Sequence, residues 1–173
     1  MNKLQAKTML YFELRRQAGH HFSFVCLEEG DITPTSIKAD MWNLSFPVGA
    51  PLGEMQVTLD FYKEWVDVLA FPHPQIIDED CIIEMVRFVN CLNGYVKLQN
   101  TNGRFYVNEN DLDVAYSARL NYRYLELLPQ EAVSHSILGF LGFVVDVGVP
   151  LHLVGKGEMT AEDGCQYIAN LWN

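Results

Sequence analysis

Residues 41–71, MWNLSFPVGAPLGEMQVTLDFYKEWVDVLAF, contain three runs in which apolar side chains recur at every second position. Trp42, Leu44, Phe46 and Val48 alternate with Asn43, Ser45 and Pro47; Met55, Val57, Leu59 and Phe61 alternate with polar partners; EWVDVLAF closes the stretch. A period of two puts successive side chains on opposite faces of a pleated strand. Turn residues in PVGAPLG and a tight YK connection separate the runs, so they read as an antiparallel meander ended by Pro72 and Pro74.

Upstream, residues 3–18 place Leu4, Tyr11, Leu14 and Ala18 on one stripe with Leu10 beside it, and Lys3, Lys7, Glu13 and Arg16 largely elsewhere. That spacing predicts an amphipathic helix closed by Gly19. HFSFVCLEE, residues 21–29, alternates as a first strand, and residues 28–40 form a polar loop with Gly30 and Pro34. Downstream, DEDCIIEMVRFVNCLNG, residues 78–94, has Ile82, Met85, Val89 and Leu92 at helical spacing. Asp78, Glu79 and Asp80 occupy the first turn, where the helix dipole favours acids, and Gly94 closes the end. Asn102-Gly103 marks a turn, and residues 104–120 read as a hairpin with a polar turn at Asn108 to Asp111.

GFLGFVVDVGVPLHLV, residues 139–154, is the least polar part of the chain. A membrane span needs about 20 predominantly apolar residues, whereas here Asp146, His152, three glycines and Pro150 interrupt the run. The expected structure is a helix that opens at Pro129, runs through about Gly148 and serves as core plus interface, with Pro150 breaking or kinking it. Residues 160–173 read as a short terminal helix capped by Thr160. The resulting order, α-β(3–4)-α-ββ-α plus a C-terminal helix, predicts an α+β fold with a single antiparallel sheet of about five to six strands and helices packed on it. One domain would span 1–156, with a helical tail, 157–173, packed on it.

The 173 residues carry a formal net charge of -10, and the 12 Lys and Arg are scattered. Such a field repels phosphate backbones and argues against nucleic acid as a partner. Cys26, Cys81, Cys91 and Cys165 are too irregularly spaced for a disulfide framework and read as buried free thiols. The first 19 residues interrupt every apolar run with charge, so neither a signal segment nor a membrane partner is expected, and a cytoplasmic location is.

Chemistry-bearing patterns are few. His20-His21 are adjacent, so on a strand they point to opposite faces and cannot share a metal. His73, His135 and His152 lack partners at metal-ligand spacing. Cys81 and Cys91 lie roughly 15 Å apart along one helix by the standard rise, too far to bond. NENDLD, residues 108–113, lacks the glycine and closing glutamate of a calcium loop. There is no phosphate loop and no nucleophile elbow, so no catalytic residue, metal or cofactor is expected. What remains is aromatic surface: Trp42, Phe46, Phe61, Trp65, Phe140 and Phe143 are the candidate partner-binding residues.

The stretch from Ile82 to Gly157 resembles the YbjN-type family of bacterial proteins, whose fold is similar to that of type III secretion chaperones. The matching features are a helix ending in Leu92-Asn93, a Gly103-Arg104-Phe105 lead into a strand, a second strand with Tyr116 and Arg119, and Pro129-Gln130-Glu131 opening a long helix. The resemblance implies an α+β fold, frequent dimerisation and a role in binding another protein, with no catalytic residues. The expectation is therefore a cytoplasmic, non-enzymatic, secretion-chaperone-like or regulatory binding module, homodimeric, presenting an apolar sheet or helix surface to a protein or peptide segment. The alternative is a small hydrolase or ligand-binding enzyme whose site assembles from dispersed residues such as His73, Asp78 and Arg119.

Overall fold

The computed structural model describes residues 1–18, 23–24, 39–94 and 101–172. Helix α1 (Lys3–Ala18) is followed by a two-residue strand β1 (Ser23–Phe24), then β2 (Met41–Gly49), β3 (Gly53–Phe61) and β4 (Trp65–His73). A 3-10 turn (Glu79–Cys81) leads into α2 (Ile82–Asn93), and the hairpin β5 (Gly103–Asn108) and β6 (Asp113–Asn121) comes next. Short helix α3 (Tyr122–Leu127), long helix α4 (Pro129–Gly155) and terminal helix α5 (Ala161–Trp172) complete the chain. The strands form one sheet in the order β1-β2-β3-β4-β6-β5, every neighbouring pair antiparallel. The fold is thus α+β with a single antiparallel sheet. Of the expected first strand only residues 23–24 are described; the rest of it, the Gly19 cap, His20-His21, Cys26 and loop residues 28–38 lie outside the described residues.

The alternation in residues 41–71 decides which side of the sheet is covered. Met55, Val57, Leu59 and Phe61 of β3 are buried, as are Val66, Val68 and Ala70 of β4, and the positions between them are half-buried. The buried set faces the helices. Tyr116 of β6 stacks on Phe140 of α4 at 4.5 Å between ring centroids, and Phe105 of β5 stacks on Phe143 at 5.7 Å. Burying each such ring stabilises the fold by about 1.5–3 kcal/mol. The six-strand sheet with helices on one side is the arrangement that antiparallel alternation permits.

Helix α4 carries residues 139–154 at its centre. By length and composition, Pro129–Gly155 is the one helix among the described residues that could cross a membrane, with mean hydropathy 2.0 in its most apolar window, half of it buried inside the protein. Phe140, Val144, Val147, Leu151 and Val154 are buried, while Val145 and Val149 form an exposed stripe. Pro150 does not end the helix, contrary to expectation; α4 runs on to Gly155. A proline removes one backbone hydrogen bond, and here the buried Leu151 and Val154 just beyond it hold the last turn against the core. A π turn at Ser134–Leu138, in which the Gly139 N–H donates to the Ser134 carbonyl, accommodates an extra residue in α4.

Two further expectations are corrected. On α1 the buried residues are Ala6, Lys7, Leu10, Leu14 and Ala18, so Leu4 is exposed and Lys7 is not. Lys7 lies 3% exposed with its ammonium donating to the Ala39 carbonyl at 2.6 Å and to Asp40 at 2.8 Å, 5.2 Å over the Phe61 ring. Its stem packs like an aliphatic side chain while the charge reaches a carboxylate at the rim. The second correction concerns the thiols: Cys91 of α2 and Cys165 of α5 are joined by a disulfide, with Cα atoms 6.4 Å apart and 74 residues between them in sequence, while Cys81 is free. The sequence spacing hides this pair because α5 packs on α2 and α4 only after the whole chain has folded back. Thr160 caps α5 as expected, accepting from the Asp163 N–H at 3.1 Å.

Candidate functional site

The open side of the sheet is defined by register. Cross-strand partners place Asp60, Asp67 and Arg119 in one row, Asn43, Thr58, Leu69, Ser117 and Arg104 in the next, and Gln56 beside Phe71 in a third. Each of these positions lies between buried ones on its strand, so its side chain points away from the helices. Among the described residues no helix packs on this face.

One end of the face is organised by an ion pair and two rings. The Arg119 guanidinium donates two hydrogen bonds to Asp67, Nε to Oδ1 at 2.7 Å and a terminal nitrogen to Oδ2 at 3.1 Å. That fork fixes the plane of the guanidinium, which lies 4.7 Å over the Trp65 ring; Tyr62 also stacks with Trp65, at 5.4 Å. Asp60 hydrogen-bonds the Tyr62 hydroxyl and raises its pKa, with its negative charge adding to the effect. The indole N–H of Trp65 is out of water and donates to no group among the described residues.

From this end a groove of about 830 Å³ runs over Leu69 and Ser117 to Asn102 and Arg104. Its far wall is tied to the π turn of α4: the Asn102 N–H donates to the His135 carbonyl at 3.0 Å and its side-chain amide to Ser136 Oγ at 3.0 Å. Gly103 is a close-approach position, since a Cβ there would collide with the Ser117 carbonyl and the Tyr116 ring. The groove is therefore a shallow, mixed-polarity trough with Leu69 near its middle and an arginine at each end.

The structure moves most of the aromatic candidates off the surface. Trp42, Phe46, Phe61, Phe140 and Phe143 are between 0 and 5% exposed and belong to the core, so none of them can touch a partner in this conformation. Trp42, Phe46 and Phe61 fall on the helix-facing side of the strand alternation, and Phe140 and Phe143 on the sheet-facing side of α4. Trp65 alone lies on the open face, half-buried. Residues that sequence reasoning missed are Asp67, Leu69 and Arg104; the alternation of β4 carried the first two, but nothing local marked them as the uncovered side.

The enzyme alternative fares differently. Its three residues do not converge: Arg119 is held by Asp67, Asp78 pairs with Lys156 at 2.7 Å, and His73 stands across from Glu54 at the far end of the sheet. The one strongly shifted acid there is Asp113, 8% exposed, whose pKa is pushed up to about 6 by burial, with Asp111 adding to the rise and a hydrogen bond from the Val114 N–H and the charge of His73 opposing it. Its Oδ1 accepts no hydrogen bond among the described residues. Among the described residues no group of three or more His, Cys, Asp or Glu could hold a metal ion.

The sheet's β5 edge is closed. Asn93, at the end of α2, accepts from the Phe105 N–H at 2.9 Å and donates to the Phe105 carbonyl at 2.8 Å. One side-chain amide thereby occupies both outward groups of an edge residue, the positions an added strand would use. No family model, curated protein or solved structure matches the chain. The functional reading consequently rests on the geometry of the sheet's open face.

Proposed function

We propose that the protein is a non-enzymatic, cytoplasmic binding module that takes an extended segment of a partner protein across the open face of its sheet. The observation that carries this reading is the groove itself: Leu69 and Ser117 on its floor, with Arg104 at one end and the Arg119–Asp67 pair at the other. Backbone carbonyls of an extended chain are acceptors for such donors, and its apolar side chains suit the floor. The overall charge of -10 favours a protein partner over nucleic acid. The resemblance to YbjN-type proteins and secretion chaperones supports the same class. Self-association belongs to a different surface, the exposed Val145 and Val149 stripe of α4, which suits a homodimer seam.

The test is a quantitative comparison of proteins captured by the wild-type chain, by Leu69→Glu and by Ile83→Glu, the last altering an exposed residue on α2. The reading expects Leu69→Glu to lose, by about tenfold or more, the partners that Ile83→Glu retains, since a hydrated carboxylate would replace the central apolar contact of the groove. Light scattering on the same samples should give the mass of two protomers. Equal capture by all three proteins contradicts the reading.

A further inference from the structure

We propose that the Cys91–Cys165 bond is a reversible redox latch: a dithiol reductant opens it, and α5 then leaves its seat on α2 and α4. The helix has little else to hold it. Of its 12 residues only Ala161, Gly164 and Ile168 are fully buried. Gly164 brings the α5 backbone against the Phe88 ring, where an added Cβ would lie 2.8 Å from the nearest ring carbon. Trp172 rests 5.3 Å from Phe143 and donates its indole N–H to Asp146 at 3.1 Å. The Ala161 N–H donates to Glu84 at 2.9 Å, and the Lys156–Asp78 pair closes the linker at the surface. A helix of this length has marginal stability in water unless something docks it. Two small buried positions, one isoleucine and a few rim contacts are a weak dock, which makes the covalent tie decisive.

The bond is also placed to be reached. Both cysteines are only half-buried, and Cys165 opens on a groove of about 510 Å³ lined by Glu84, Arg87, Thr160 and Glu162. Cys91 does not line that groove, so the attack falls on the Cys165 sulfur. A thiolate of the reductant bonds to Cys165 Sγ, the Cys91–Cys165 bond breaks, and Cys91 leaves as a thiolate that takes up a proton. The second thiol of the reductant then displaces Cys165, so that two electrons pass to the protein and the reductant ends as a disulfide. A joint for the motion exists at Gly157, whose φ of +71° is accessible to glycine without strain. Release uncovers Phe88, Phe143 and Val154, an apolar strip on the helical layer. A bond of this kind in a reducing compartment is expected to be transient and sensing, not structural. The inference does not depend on what binds the open sheet face, because α5 packs on the other layer.

The experiment uses the full chain in three states: air-oxidised, reduced with dithiothreitol that is removed under nitrogen before thiol titration, with alkylation applied only to the samples for exchange and dye binding, and as Cys165→Ser without reductant; Cys81→Ser serves as control. Thiol titration in denaturant should find two fewer free thiols in the oxidised protein than in the reduced one. Deuterium exchange across residues 161–172 should accelerate by about tenfold or more on reduction, with exchange in β3 and β4 unchanged, and a hydrophobic dye should bind the reduced form more strongly. Cys165→Ser should match the reduced state and Cys81→Ser the oxidised one. Four free thiols in the oxidised protein, or the same exchange in α5 before and after reduction, would overturn the proposal.

Discussion

Asp113 shows how one side chain's environment becomes a property of the whole fold. Its carboxyl, ordinarily near 3.8, is held up to about 6, chiefly by burial, so the folded state prefers the neutral acid. Below about pH 4 both folded and unfolded chains carry the proton and the group contributes no difference. As pH rises from about 4 to about 6 the folded chain keeps a proton the unfolded chain has lost and stability falls; above about 6 both states are ionised and the loss levels off. A preference of that size is worth about 3 kcal/mol at most, and water at the end of the sheet reduces it to about 1–2 kcal/mol. Asp113→Asn should therefore be more stable than wild type by that amount in urea denaturation at pH 7.5 and equal to it at pH 4; a constant difference at both would refute the assignment. Alternation could not have revealed this residue, because it opens β6 at a hairpin turn where polar side chains are ordinary. Lys7 was hidden for the opposite reason: a charged residue on a helix reads as exposed, and only the tertiary position of Asp40 makes its burial tolerable.

The strands and α2 were legible as elements because their signals are local: a period of two in residues 41–71, and helical spacing, acids at the start and glycine at the end in 78–94. What joins the elements was not. Asp67 and Arg119 are 52 residues apart, Cys91 and Cys165 are 74 apart, and Asn93 finds Phe105 across residues 95–100, which lie outside the described ones. Pairings of that kind depend on topology, and one-dimensional periodicity does not contain them. Of the break or kink expected at Pro150, the break did not occur, for a related reason: packing against the core outweighed a local rule worth about 3 kcal/mol. The closed β5 edge can be tested at this scale. Asn93→Ala removes both partners of Phe105 and should cost about 1–3 kcal/mol of stability by denaturant titration, as expected for stranding polar groups. It should also make the protein associate at high concentration as the edge opens. A variant as stable and as dispersed as wild type would show that the amide protects nothing.

For the molecule as a whole, the alternation in residues 41–71 marked which side chains face the helices, but not that the opposite side stays free of a helical layer. Once α1, α2 and α4 cover one side, five of the six aromatic candidates become core and the other side becomes a shallow trough between Trp65 and Arg104. The account's central claim is that this trough is where the protein meets its partner. A photo-crosslinking amino acid placed at Leu69, with parallel placements at Phe12 on α1 and Ile83 on α2, tests it in intact cells. The account predicts a discrete adduct from position 69 that is absent from positions 12 and 83. Adducts from the helical positions with none from position 69 would contradict it.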